Sequence, residues 1–65
     1  MGLTMSEVKL AMAEEFGATN FDGKDESYWY FSSQDGTEFE FELETDKVYA
    51  KYPGSEDWEL VGDLQ

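Results

Sequence analysis

Cysteine, histidine and arginine are all absent from this chain, and proline occurs once. Without cysteine there is neither a disulfide framework nor a thiolate metal site, so stability has to come from packing. Without histidine or arginine, no Ser-His or Cys-His nucleophile pair and no guanidinium clamp on phosphate can be assembled. Two carboxylates could form a glycosidase pair, but that chemistry needs a cleft, which 65 residues with one helix can hardly wall. The expectation is a protein that is not an enzyme and uses no cofactor. Long apolar runs are missing as well: nothing approaches the roughly 18 residues of a membrane span. The N-terminal stretch also lacks the basic and apolar regions of a secretory signal. This reads as a cytoplasmic protein without membrane contact.

Positive charge is the scarcest resource that remains. Sixteen Asp and Glu stand against four lysines, for a net charge of -12 in 65 residues. Such a field repels nucleic acid and anionic membrane and draws in basic protein surfaces. Direct nucleic-acid binding is therefore not expected. The same imbalance also serves solubility or life in a salty cytoplasm. Against this charge, hydrophobic residues at 40% and aromatics at 17% suffice for a compact core, so one folded domain over residues 1–65 is expected.

The N-terminus carries full helix-start chemistry. Thr4 is an N-cap with Glu7 three residues on, and Leu3 and Val8 are placed as a hydrophobic staple. Met5, Val8, Met12 and Phe16 fall on one stripe, and Gly17 suits the left-handed position that ends a helix, giving a helix at about residues 5–16. A methionine stripe at this spacing belongs to a core.

Residues 17–27, "GATNFDGKDES", read as a connection with Phe21 tucked back as an anchor. Aligned on Gly23, this stretch puts Asn20 and Asp22 at calcium-loop ligand positions but Trp29 where the bidentate glutamate must be, so the EF-hand pattern fails. A weak surface cation site at Asp22, Asp25 and Glu26 is the residual alternative to a solvated loop.

From Tyr28 the period becomes two. "YWYFSS" and "TEFEFELE" flank "QDGT", and Asp35-Gly36 between such runs is a hairpin signal. A two-residue turn there sets Tyr30 opposite Phe41 and Tyr28 opposite Leu43 on the apolar side, leaving Trp29 and Phe31 opposite Glu42 and Glu40 on the other. A turn at Thr45-Asp46 then brings "VYAKY" back, with Val48, Ala50 and Tyr52 on the apolar side and Lys51 beside Glu40. After a Pro-Gly loop, "WELV" returns with Trp58 opposite Tyr52, Leu60 opposite Ala50 and Glu59 opposite Lys51. The expected strands are about 28–33, 37–44, 48–52 and 58–61. The fold class is α+β, with one N-terminal helix packed on one face of a three- to four-stranded antiparallel meander.

The second sheet face then carries the candidate site. Trp29, Phe31 and Tyr49 would lie there among Glu38, Glu40, Glu42 and Glu59, unless the 17–27 loop or the tail near Leu64 shields them. Large aromatics ringed by acids point to a protein-binding patch. Alternate residues on a strand repeat every ~6.4–6.8 Å, so Glu38, Glu40, Glu42 and Glu44 would form a line some ~20 Å long. That is about one charge per two phosphates of a DNA strand, at ~3.4 Å of rise each. Such a row, helped by Asp35 and Asp46, could occupy a Lys- and Arg-lined groove that normally tracks DNA. The alternative is an ordinary solvated face.

In size, acidity and element order the whole chain resembles the very small acidic proteins that phages direct against host nucleic-acid machinery. It looks in particular like type I anti-CRISPR proteins that act as DNA mimics. The resemblance implies inhibition of a CRISPR effector complex through its lysine-rich DNA-receiving subunit, in the host cytoplasm, and carries no site signature to transfer. "SEVKLAMAEEFG" followed by "DGTEFEFELETDKVY" is also similar to PepSY-type propeptide modules. That second likeness implies an interaction module of another kind: a propeptide-like protease inhibitor, an immunity protein or an antitoxin.

Overall fold

In a computed structural model that describes residues 2–64, the chain is one helix followed by five antiparallel strands. Met1 and Gln65, the ends of the expected 1–65 domain, lie outside the described residues. The class is α+β as expected, but the sheet has five strands, not three or four. Helix α1 spans Met5–Phe16, and the strands are β1 (Asn20–Lys24), β2 (Tyr28–Ser32), β3 (Glu38–Glu42), β4 (Lys47–Lys51) and β5 (Glu59–Asp63), in meander order β1-β2-β3-β4-β5.

The helix forms as its end signals dictate. Thr4 Oγ1 accepts from the Glu7 N–H at 3.2 Å, and Glu7 Oε1 accepts from the Thr4 N–H at 2.8 Å, a complete capping box. That hydrogen bond from the Thr4 N–H holds the Glu7 carboxyl below its ordinary value. Gly17, at φ 69°, ends the helix in the left-handed conformation, and its N–H donates to Ala13 O at 3.1 Å. Val8 and Met12 are fully buried, and Leu3 and Phe16 pack at the margin of the same core.

The core lies between α1 and one sheet face. It consists of Val8, Met12 and Ala18 against Phe31, Phe39, Phe41, Val48 and Ala50. Burying Phe31 and Phe41, at 2% and 1% exposure, stabilises the fold by about 1.5–3 kcal/mol each. Trp29 joins this face, its ring 5.7 Å from that of Phe41.

This placement corrects the register expected for the first hairpin. The Ser33 N–H donates to Thr37 O at 3.0 Å, so the loop is Gln34–Gly36, three residues and not two. Gly36 takes φ 93°, and the Asp35 carboxylate accepts from Ser33 Oγ and, at 3.0 Å, from the Thr37 N–H. A three-residue loop with glycine at its positive-φ position is the next most common hairpin solution after the two-residue turn. One extra loop residue moves every β2 side chain to the opposite face. The pairs become Tyr28↔Glu42, Trp29↔Phe41, Tyr30↔Glu40, Phe31↔Phe39 and Ser32↔Glu38. Trp29 and Phe31 therefore belong to the core, and Tyr28 and Tyr30 face away from it.

The second hairpin slips by two, which preserves the faces. Its turn spans residues 43–46, closed by the Asp46 N–H on Glu42 O at 2.8 Å, and pairs Phe39 with Ala50, Phe41 with Val48 and Glu38 with Lys51. β3 thus ends at Glu42, and Leu43 and Glu44 lie in the turn. The last hairpin slips by one, pairing Tyr49 with Leu60 and Ala50 with Glu59, and a bulge at Val61 restores the phase so that Gly62 meets Val48. Leu60 therefore leaves the core face and is 57% exposed. Trp58 and Tyr52, expected to face each other over the core, are exposed.

β1 replaces the expected connection. It pairs with β2 through Asn20↔Ser32, Phe21↔Phe31, Gly23↔Tyr30 and Lys24↔Trp29, with a bulge at Asp22. Phe21, expected to tuck back, stays 37% exposed at the margin: its ring stands edge-on to Phe31 at 5.3 Å, and Lys9 Nζ lies over it at 4.7 Å from the centroid. Asn20 and Asp22 are strand residues, not loop ligands. Among the described residues no group of three Asp, Glu, His or Cys side chains is arranged to hold a metal ion. No described helix is long and apolar enough to cross a membrane.

Candidate protein-binding face

Strand alternation assigns the second face of the sheet residue by residue. Its central rung runs across all five strands as Gly23, Tyr30, Glu40, Tyr49 and Leu60. On one side of this rung stand Ser32, Glu38 and Lys51, and on the other Tyr28 and Glu42. Trp58 adjoins Lys51, whose Nζ lies 5.9 Å from the indole centroid. Helix α1 and the core lie on the opposite face, and the tail does not cross over, since Leu64 packs against the core and its N–H donates to Asp46 O at 2.9 Å.

Of the ten residues singled out from sequence, four share this surface: Glu38, Glu40, Glu42 and Tyr49. Glu44 and Asp46 lie in the β3–β4 turn and Asp35 in the β2–β3 turn, so they bracket the row at its two ends. Glu59 stands opposite Ala50 and so leaves the row, because the last hairpin is out of phase with the expected one. Phe31 is buried and Trp29 is packed on the core, so neither is a surface anchor.

Tyr28, Tyr30, Leu60 and Trp58 take the place of Trp29 and Phe31. The signal for the two tyrosines was in the segment itself. Of the two alternations in "YWYFS", Trp29 and Phe31 are more apolar than Tyr28, Tyr30 and Ser32, whose hydroxyls need partners when buried. Hydrophobic pattern thus favours the three-residue loop.

The tyrosines are fixed by carboxylates. Asp25 Oδ1 accepts from the Ser27 and Tyr28 N–H groups, each at 2.8 Å, and its Oδ2 accepts from the Tyr30 hydroxyl. This hydrogen bond holds the Asp25 carboxyl below its ordinary value, and the same bond pushes the Tyr30 hydroxyl up to about 12. The Tyr28 hydroxyl donates to Glu42 Oε2 at 3.3 Å, and the Glu42 charge raises its pKa. Glu42 Oε1 in turn accepts from Thr45 Oγ1 at 2.5 Å.

Glu40 differs from its neighbours. Partial burial in the middle of the face raises its pKa, and the charges of Asp25, Glu38 and Glu42 add to the effect. Among the described residues, neither the Glu38 nor the Glu40 carboxylate takes a hydrogen bond or an ion pair. Two shallow hollows flank Tyr28, of about 360 and 480 Å3, and their walls bring together Asp25, Glu26, Glu40, Glu42 and Glu44. Chemically, the surface offers aromatic faces and uncompensated carboxylates, which together suit ammonium and guanidinium groups.

Compared with protein-family models, with curated proteins and with solved structures, the chain shows no match.

Proposed function

We propose that the protein is an acidic inhibitor that mimics DNA, using its uncovered sheet face to occupy the basic DNA-binding surface of another protein. The observation that carries this reading is the row Glu38, Glu40 and Glu42 on β3, on the face opposite α1, where among the described residues neither Glu38 nor Glu40 makes an ion pair, although Lys51 stands opposite Glu38 in the sheet. The row is shorter than sequence suggested, about 13 Å from its first glutamate to its third. Asp35 and Glu44 prolong it through the flanking turns. Net charge of -12 supplies long-range attraction to a basic groove and prevents binding to DNA itself. The likeness in size and acidity to type I anti-CRISPR proteins makes the DNA-receiving subunit of a CRISPR effector complex the first partner to test.

The test is phage plating on a host with an active type I CRISPR system, with the protein supplied from a plasmid. Wild type should restore plaques. Glu40→Lys combined with Glu42→Lys should lose that activity while keeping a wild-type circular dichroism spectrum. Full protection by the reversed variant contradicts the reading.

The tyrosines favour a second reading, an interaction module of another kind such as a propeptide-like protease inhibitor, an immunity protein or an antitoxin. Tyr28, Tyr30 and Tyr49 interleave the acids as amphipathic contact area of the type that dominates binding hot spots. Here binding would depend on the aromatics more than on the acids and would vary little with salt.

A further inference from the structure

The uncovered face is not uniform. Its β3 strip is acidic, with Glu38, Glu40 and Glu42, whereas its β5 side, away from Asp63 at the strand's end, presents the apolar Leu60 and Trp58, exposed by 57% and 40%. Tyr49 on β4 joins the two, opposite Glu40 on one side and Leu60 on the other. The lysines of this face stand toward the ends of β4: Lys51 is directed at Trp58, and Lys47 lies opposite Asp63. The middle of the face therefore presents carboxylate, tyrosine and leucine in that order.

Two strand spacings separate the acidic from the apolar strip, about 10 Å. An α-helix with its side chains is about 10–12 Å across, so a helix lying over β4 would set one flank on each strip. An added strand fits less well. Both edge strands carry a bulge, at Asp22 in β1 and at Val61 in β5, and bulges are a common means by which sheet edges resist further pairing. A second copy of this chain is opposed by its own charge, since the face would meet three like glutamates.

We propose that the uncovered face is the seat of a basic amphipathic helix of the partner, with lysines or arginines over Glu38, Glu40 and Glu42 and large apolar side chains over Leu60 and Trp58. This rests on the reading that the partner is a basic protein surface and names the shape of that surface. Charge complementarity selects the cationic flank, and the exposed leucine and tryptophan select the apolar one. The partner helix would form a third layer, mirroring the cover that α1 gives the other face.

The test uses a synthetic lysine-leucine peptide whose two residue types segregate on opposite sides of a helix. A scrambled peptide of the same composition, in which they do not segregate, is the control. Binding is followed by 15N NMR on the full chain. The segregated peptide should bind at least about tenfold tighter and shift the amides of Tyr30, Glu40, Tyr49 and Leu60. Leu60→Asp, at an exposed position, should weaken the segregated peptide by a similar factor and leave the scrambled one unchanged. Equal affinity for both peptides, binding of neither, or shifts confined to α1 overturns the proposal. Displacement of DNA from an effector complex is scored separately, so failure of DNA mimicry and failure of the helix seat give different results.

Discussion

Tyr30 stands opposite Glu40 on the uncovered face while its hydroxyl reaches back to Asp25. One carboxylate thereby holds the ring in place and the other is left without a partner. Side chains held in this way would need little rearrangement to meet the partner proposed above. That arrangement makes Glu40 and Tyr30 the two most informative positions for titration.

Glu40 is raised because burial and three neighbouring acids disfavour its charge. A group with a raised folded pKa favours folding most while protonated, and that contribution is lost as pH climbs through the raised value. At neutral pH the charged Glu40 therefore opposes folding. Like-charge relief of this kind amounts to a few tenths of a kcal/mol, so Glu40→Gln should raise Tm by about 1–4 °C at pH 7. The gain should vanish below the ordinary glutamate pKa. Thermal melts of both proteins from pH 3 to about 8 check the sign.

Tyr30 gives the corresponding signature in alkali. Its folded pKa of about 12 exceeds the ordinary value of 10, so its contribution is complete below pH 10 and is lost as pH rises toward 12. Wild type should lose thermal stability across that window more steeply than Tyr30→Phe. Parallel curves for the two would show that the Asp25 hydrogen bond makes no contribution.

The register of β2 is tested by packing. Phe31→Ala removes a ring that is 2% exposed and should cost about 3–5 kcal/mol, a large share of the stability of so small a domain. Ser32→Ala, next along the strand on the other face, should change stability by less than about 0.5 kcal/mol. Urea titrations decide this, and a reversed order would restore the two-residue turn.

Thr4→Ala removes the acceptor of the capping box and should destabilise the fold by about 1 kcal/mol, or roughly 4–8 °C in Tm. Thr4→Ser should be close to neutral. Thermal melts of the two variants separate the cap hydroxyl from the rest of the side chain.

Legibility of the sequence followed the strength of local chemistry. The helix is bounded by a capping box and a glycine stop, and its ends fall at Met5 and Phe16 as the pattern predicts. β1 was illegible because Asn20–Lys24 contains a single large apolar residue, Phe21, and the strand is made by pairing with β2. The core positions of β3 and β4 were legible since a two-residue slip leaves parity intact. Trp29 and Phe31 were misplaced since Asp35-Gly36 permits loops of two or three residues, and only the relative polarity of the two alternations distinguishes them. The acidic row survived this error because Phe39 and Phe41 fix β3 whichever way β2 faces. Its aromatic companions did not survive it. Leu60 was beyond local reading, because its exposure follows from the one-residue slip of the last hairpin, which no residue of the Pro-Gly loop announces.

The central claim is that Glu38, Glu40 and Glu42 act by their position and not by their share of the net charge. Competition for target duplex on a purified type I effector complex, read by gel shift, tests it most directly. Wild type and the Glu14→Gln, Glu15→Gln, Glu56→Gln triple variant should both displace the DNA. The Glu38→Gln, Glu40→Gln, Glu42→Gln variant should need at least about tenfold more protein for the same displacement. Equal potency of the two triple variants, or no displacement by wild type, would contradict the account.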